Sequence, residues 1–183
     1  MFSVLPRLEE IGPPSDRETE NSRRKKMSAT VIKALQDSVE EVLKTYTGVA
    51  PKAGKPFIRT EPEALGDISA VNGLAGSGFT GMLTVTFTKE AIFKVVSVLF
   101  GTTPGELNEE VRDAAGELAN QICGAFRRRF EEQGISLQAA VPVIVTGEKH
   151  SITPLCTSQR MAIPFEFDGA KLVIELCLDK KKQ

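Results

Sequence analysis

Apolar positions along the chain change period several times, and each change marks a passage between helical and extended structure. Val31, Ile32, Leu35, Val39, Val42 and Leu43 recur three and four residues apart, with Ser28 placed to cap them and Gly48 and Pro51 to end them, which predicts a first helix. From Phe57 the period drops to two. The stretches from Phe57 to Glu61 and from Asp67 to Val71 read as short strands, and Leu83, Val85 and Phe87 alternate with Thr84, Thr86 and Thr88 as a half-buried strand does. Helical spacing returns at Ala91, Ile92, Val95, Val96, Leu99 and Phe100, between Thr88 as cap and Gly101 as stop. After Pro104 and Gly105, a long helix is predicted from Leu107 or Asn108 to Gln133, closed by Gly134. Three strands follow, from Leu137 to Thr146, Arg160 to Phe167 and Lys171 to Leu178, the last two joined by the turn pair Asp168-Gly169. Helices and strands in blocks predict an α+β fold, with helices packed on one face of a mainly antiparallel sheet.

Residues 1–26 interrupt this regularity. They combine Pro6, Pro13 and Pro14 with the basic run Arg23-Arg24-Lys25-Lys26 and hold no sustained apolar period, so a flexible N-terminal extension is expected there and the folded domain over 27–183. Composition narrows the class further. With 41% hydrophobic and 26% charged residues, the chain suits one soluble domain with a substantial core. A net charge of -1 gives no global field to draw nucleic acid or an anionic membrane. No apolar run approaches the roughly 20 residues that span a bilayer, and no secretory core opens the sequence, so a cytoplasmic location is expected. Cys123, Cys156 and Cys177, three thiols at long spacing, suit reduced core residues better than a disulfide framework.

Candidate chemistry lies on the long helix. At about 100° per residue, Leu107, Val111, Ala114, Ala115, Leu118, Ile122 and Ala125 form one stripe with Phe126 at its edge, while Asp113, Glu117, Asn120 and Gly124 gather on the opposite side. A carboxylate and a carboxamide three residues apart on a rigid exposed helix present a fixed anion beside a neutral donor and acceptor. Taken by itself, such a pair is more often surface decoration than a site, since glutamate favours helices and asparagine is tolerated on solvated faces.

The segment Asp113-Ala-Ala-Gly-Glu117-Leu-Ala-Asn120 resembles the Asp/Ser-x3-Glu-x2-Asn motif of the CheC, CheX and FliY phosphatases of bacterial chemotaxis. The surrounding GELANQICGAF, the later Val141-Pro142-Val-Ile-Val-Thr-Gly147 and the order of elements from about residue 28 to 178 are similar to the CheX branch. The resemblance implies a protein-phosphoaspartate phosphatase whose partner is a phosphorylated CheY-like response regulator. It assigns Glu117 to an ion pair with the receiver's active-site lysine and Asn120 to orienting a water for in-line attack, with Asp113 in support. The chain would hold no cofactor of its own, and the receiver would supply Mg2+. Positioning and charge neutralisation carry phosphoryl transfer, so no nucleophilic side chain is needed. A receiver-binding module of the same fold without turnover is the alternative.

CheC-type members carry the motif on two helices. Here Asp37-Ser-Val-Glu-Glu41-Val-Leu-Lys44 has the spacing but places lysine where asparagine is required, and an ammonium lacks the carboxamide's acceptor, so one site per chain is expected. That favours the CheX arrangement, and with it a homodimer formed through the sheet, for which the closing strands could offer an edge. Gly124 reads either as room for a partner's backbone or as a packing position.

Three other signals carry no function. Gly76-Ser-Gly78-Phe-Thr-Gly81 matches G-x-G-x-x-G, but a strand follows it instead of a helix, so a hairpin connection is expected and not a dinucleotide site. His150 is the only histidine and cannot build a multi-histidine metal site. Arg127, Arg128 and Arg129 spread around the helix ahead of Glu131 and Glu132, and read as solubilising or partner-facing.

Overall fold

The computed structural model describes residues 16–154 and 156–180, with side chains from Ser28 onward. The chain falls into two units, Met1–Val31 and Ile32–Gln183. The first, over its described residues, is the leading part of helix α1 (Asp16–Thr47), which begins well before the expected cap at Ser28. Its Glu, Arg and Lys are good helix formers that need no apolar stripe to be helical, a signal to which apolar periodicity is blind. Residues 1–15 of the expected extension lie outside the described residues.

The second unit builds on an eight-stranded antiparallel sheet. Its strands are β1 (Lys52–Ala53), β2 (Phe57–Arg59), β3 (Ile68–Gly76), β4 (Phe79–Phe87), β5 (Gln138–Ala139), β6 (Val143–Thr146), β7 (Arg160–Phe167) and β8 (Ala170–Lys180). The path runs β1-β7-β8-β4-β3-β5, with β2 also on β7 and β6 also on β3. Helices α2 (Lys89–Phe100) and α3 (Glu109–Glu131) complete the described elements. α2 starts on the expected cap, Thr88, whose Oγ1 accepts from the Ala91 amide, and α3 starts beside the expected position on Asn108, whose Oδ1 caps it by accepting from the Val111 amide at 3.0 Å. Gly101, at φ 73°, ends α2 as expected.

Two tight hairpins hold the register. Ser77 and Gly78 (φ 45° and 77°) turn β3 into β4, while Asp168 and Gly169 (φ 46° and 74°) turn β7 into β8. Left-handed backbone at both central positions is the I′ geometry that matches strand twist. The G-x-G-x-x-G match is therefore a hairpin, as expected. The expected strand from Leu137 to Thr146 is in fact two pieces, β5 and β6, both on β3. Pro142 stands in the break, where it has no amide hydrogen to give a ladder.

Pairing fixes which side chains share a face. Ile68, Ala70, Asn72 and Leu74 of β3 lie in one row beside Leu83, Val85 and Phe87 of β4 and Leu172, Ile174 and Leu176 of β8, all buried. α2 and α3 pack on the sheet, meeting β8 and β3 respectively, with Ile92, Val95, Leu118, Ile122 and Phe126 buried. In α1 the buried positions include Leu35, Val39, Val42 and Leu43, as the spacing predicts.

The opposite face departs from expectation. Thr84 and Thr86 are buried, as is Glu175 opposite Thr84. Strand alternation cannot register a cover supplied by loops. Here Ser69 and Thr86 share a 2.7 Å hydrogen bond, and His150 Nε2 lies 2.7 Å from Ser69 Oγ. Because His150 Nδ1 faces the Gly147 carbonyl at 2.9 Å, it carries the proton, and Nε2 accepts from the serine. Ser69 is fully buried, so this serine and histidine pin a loop to the sheet and offer no nucleophile. Nearby, Glu175 takes Arg59 Nε at 3.2 Å and Arg160 Nη1 at 3.5 Å, all three nearly fully buried. Arg59 also donates to the Glu61 and Glu63 carbonyls, and Arg160 to those of Ile152 and Glu61. Burial raises the Glu175 pKa, with the two guanidinium groups pulling it back down.

Candidate active site

Helix α3 carries Asp113, Glu117 and Asn120 on one exposed face, above a buried stripe that includes Val111, Ala114, Ala115, Leu118, Ile122, Ala125 and Phe126. The wheel drawn from the sequence places each of these correctly. The buried band is wider than the wheel implies: Gly116, Ala119 and Cys123 are also buried. A Cβ on Gly116 would meet Ile144 Cδ1 at 3.4 Å and Pro142 Cγ at 3.9 Å, so the strand break after β5 lies against this side of the helix.

Glu117 is held from its own helix. Gln121 Nε2, one turn later, donates to Glu117 Oε1 at 2.7 Å. Tyr46 of α1 lines the same groove as Glu117; burial raises the tyrosine pKa, and the Glu117 charge pushes it the same way. An open groove of about 540 Å³ runs along this side, lined among others by Tyr46, Leu99, Phe100, Asp113 and Glu117. Asp113 is thus brought together with Glu117 in the groove, whose acidic lining also includes Glu109 and Glu110.

Asn120 is fixed from the sheet. Asn72 Nδ2 donates to Asn120 Oδ1 at 3.2 Å and to the Ala140 carbonyl at 3.1 Å. Apolar side chains stand exposed on the elements flanking the pair: Leu99 and Phe100 at the end of α2, and Val141 and Val143, 85% and 65% exposed, around Pro142. A charged and amide centre between apolar flanks has the composition of a protein-binding surface.

Three residues here escaped sequence reasoning: Tyr46, Asn72 and Gln121. Tyr46 gave no local signal. Gln121 was legible as the i+4 neighbour of Glu117. Asn72 was legible as a polar residue in phase with Ile68 and Ala70, but the predicted strand stopped at Val71.

The duplicate motif on α1 is committed elsewhere. Glu41 receives Arg128 Nη2 at 2.8 Å and Arg129 Nη2 at 2.6 Å, and Asp37 pairs with Lys33 at 3.0 Å. The Arg129 hydrogen bond leads the interactions that hold the Glu41 pKa below its ordinary value. The arginine triplet, expected to be solubilising or partner-facing, also makes contacts within the chain: Arg128 and Arg129 tie α3 to α1, and Arg127 Nε donates to the Leu137 carbonyl at 2.6 Å. Side-chain reach across helices is invisible to a wheel drawn for one helix. Cys123 and Cys177 are buried, as core thiols should be, and burial pushes their pKa values up to about 11 and about 12. Cys156 is only partly buried, on the loop before β7.

Gly124 faces open space, since a Cβ placed on it would find Arg128 Nη1 as its nearest neighbour, at 4.0 Å, and internal packing does not require glycine there. Gly124→Ala is expected to stabilise the fold by about 0.5–1 kcal/mol, read as a raised thermal midpoint, because alanine removes glycine's entropic cost in a helix.

Among the described residues, no group of histidine, cysteine, aspartate and glutamate is arranged to hold a metal, and no helix is long and apolar enough to cross a membrane.

Comparison with known proteins agrees with this geometry. The family described as chemotaxis phosphatase CheX matches residues 68–166, which include β3, α3 and both motif residues. The CheY-P phosphatase CheX of Thermotoga maritima is 33% identical over 122 residues, 66% of this chain and 78% of that protein. The crystal structure of a chemotaxis protein CheX from Desulfovibrio desulfuricans superposes with a TM-score of 0.75 at 33% identity, covering 81% of this chain and 99% of the other. The CheX-CheY-BeF3-Mg2+ complex of Borrelia burgdorferi shares the fold at a TM-score of 0.67 and 22% identity, covering 82% and 97%. With fold, motif position and sequence in agreement, the chain belongs to the CheX family of chemotaxis phosphatases.

Proposed function

We propose that this protein hydrolyses the phosphoaspartate of a CheY-type receiver domain, with Glu117 as the docking anion and Asn120 as the water-positioning amide. The observation that carries the reading is the pair itself: two exposed side chains, three residues apart on a rigid helix, each already oriented by neighbours. Preorganisation of this kind favours attack geometry over mere contact.

Glu117 borders an acidic groove, which suits an incoming lysine ammonium. Asn120 presents its amide to a water near the acyl phosphate. The water oxygen forms a bond to phosphorus as the bond from phosphorus to the aspartyl oxygen breaks; the bonding pair leaves on the aspartate carboxylate, and the water's proton passes to phosphate or solvent. Mg2+ held by the receiver would neutralise the phosphoryl oxygens. Asp113, on the groove wall, adds to the negative field that meets the lysine. Leu99, Phe100, Val141 and Val143 would supply apolar contact around this polar centre.

Family resemblance adds a cytoplasmic location and a homodimer through the sheet to this proposal. The closing strands are not its open edge, because β8 lies between β7 and β4, and β7 is flanked by β1 and β2.

The test is decay of a CheY-type receiver phosphorylated with acetyl phosphate in Mg2+. Wild-type protein should accelerate it; unaltered decay alongside retained binding would leave a receiver-binding module without turnover. Glu117→Ala should act mainly on KM, raising it about tenfold, the order of one lost charge-assisted contact. An unchanged KM for Glu117→Ala would remove its anchoring role.

A further inference from the structure

Asn72 stands in an unusual place for an amide. Its row on β3 is otherwise Ile68, Ala70 and Leu74, its register partner on β4 is Leu83, and it is fully buried. An apolar side chain would satisfy that position, whereas asparagine leaves its Oδ1 buried without a partner. The retained feature is a donor: one amide nitrogen aimed at two acceptors, the Ala140 carbonyl and Asn120 Oδ1.

This arrangement fixes the orientation of the proposed catalytic amide by elimination. A backbone carbonyl only accepts, so the group of Asn72 that faces Ala140 must be Nδ2. The same Nδ2 faces Asn120, and two amide nitrogens would repel, so Asn120 must present Oδ1 to the sheet. Its Nδ2 group and the second lone pair of Oδ1 are then free to engage a phosphoryl oxygen and a water. Without the inner donor, the Asn120 amide is free to turn over, and half of its orientations exchange donor for acceptor.

We propose that Asn72 is a positioning residue that locks the rotamer and amide orientation of Asn120 from within the sheet. The proposal rests on the assignment of Asn120 given above and adds to it a residue on another element. Holding Ala140 is a lesser role, since the Ala140 amide already bonds the Gly73 carbonyl at 2.9 Å and β5 pairs with β3 independently.

The experiment is a double-mutant cycle on the full chain with the acetyl-phosphate-charged receiver in Mg2+, recording kcat, KM and thermal midpoint. Asn72→Leu keeps the alternating apolar row and should lower kcat by about a hundredfold, the scale of a small misplacement at a reacting centre, with KM changed less than about twofold. In the Asn120→Ala background the same substitution should cost nothing further, because its target is gone. Where leucine overfills the site and the chain does not fold, Asn72→Ala is read in the same way. Wild-type kcat in the folded Asn72 variant, or an equal loss in both backgrounds, would overturn the proposal. Full activity of Asn120→Ala would instead remove the parent assignment, and this proposal with it, so the two failures are told apart by which single variant keeps its rate.

Discussion

Asn120→Ala is expected to lower kcat for receiver dephosphorylation by about 10²–10³-fold, the cost of deleting one preorganised polar group at a reacting centre, with KM changed little. The side chain is exposed and carries little of the fold. It accepts one hydrogen bond, from an asparagine that keeps a second acceptor in Ala140, so truncation leaves the helix and sheet in place. The loss should therefore appear in turnover and not in thermal midpoint. Acyl-phosphate decay measured against enzyme concentration checks it, and a variant with wild-type kcat would return Asn120 to the status of a surface residue. Contrast with Glu117→Ala is informative, since the proposed division of labour places one effect in KM and the other in kcat.

Glu175→Ala should be the more damaging change to the fold, lowering stability by about 3–5 kcal/mol, the usual cost of removing one partner from a buried ionic cluster. Arg59 and Arg160 would remain buried with no carboxylate between them. Arg59 Nη2 and both Arg160 Nη groups donate to the carbonyls of Glu61, Glu63 and Ile152, so neither guanidinium can swing into water without releasing the loops it holds. At roughly 2–4 °C per kcal/mol for a chain of this size, the thermal midpoint should fall by about 6–20 °C. Replacing all three members with apolar residues of similar volume should recover most of that loss, because the desolvation cost of every charge disappears together. A Glu175→Ala midpoint within a degree or two of wild type would show that the cluster contributes no net stability.

Much of the site could be read from residue order, because it lies on one helix with clear caps and a regular core stripe. Asn108, Val111, Leu118 and Ile122 determine which way α3 faces, and Glu117 and Asn120 follow from that orientation alone. Both hairpins were legible for the same local reason, as glycine-containing turns flanked by alternating strands. What the order could not show is what meets across long separations. Tyr46 joins Glu117 in the groove from another helix, Asn72 reaches Asn120 from the sheet, and Arg128 and Arg129 reach Glu41. Burial of Thr84 and Thr86 was equally hidden, since it depends on loops far along the chain folding back over the second face. The helical stretch before Ser28 was missed because its Glu, Arg and Lys favour a helix by propensity, which apolar periodicity does not register.

The interruption at Pro142 has a consequence beyond the site. Strand β3 would otherwise present nine residues of open backbone, but it meets only the two residues of β5 and the four of β6, and the far side of the sheet ends in β1 and β2, which have two and three. Fragments of that length, one of them next to a proline, give a stray strand little continuous ladder to extend. The long strands stay in the interior, and the sheet resists the edge-to-edge polymerisation that an unbroken nine-residue border would invite.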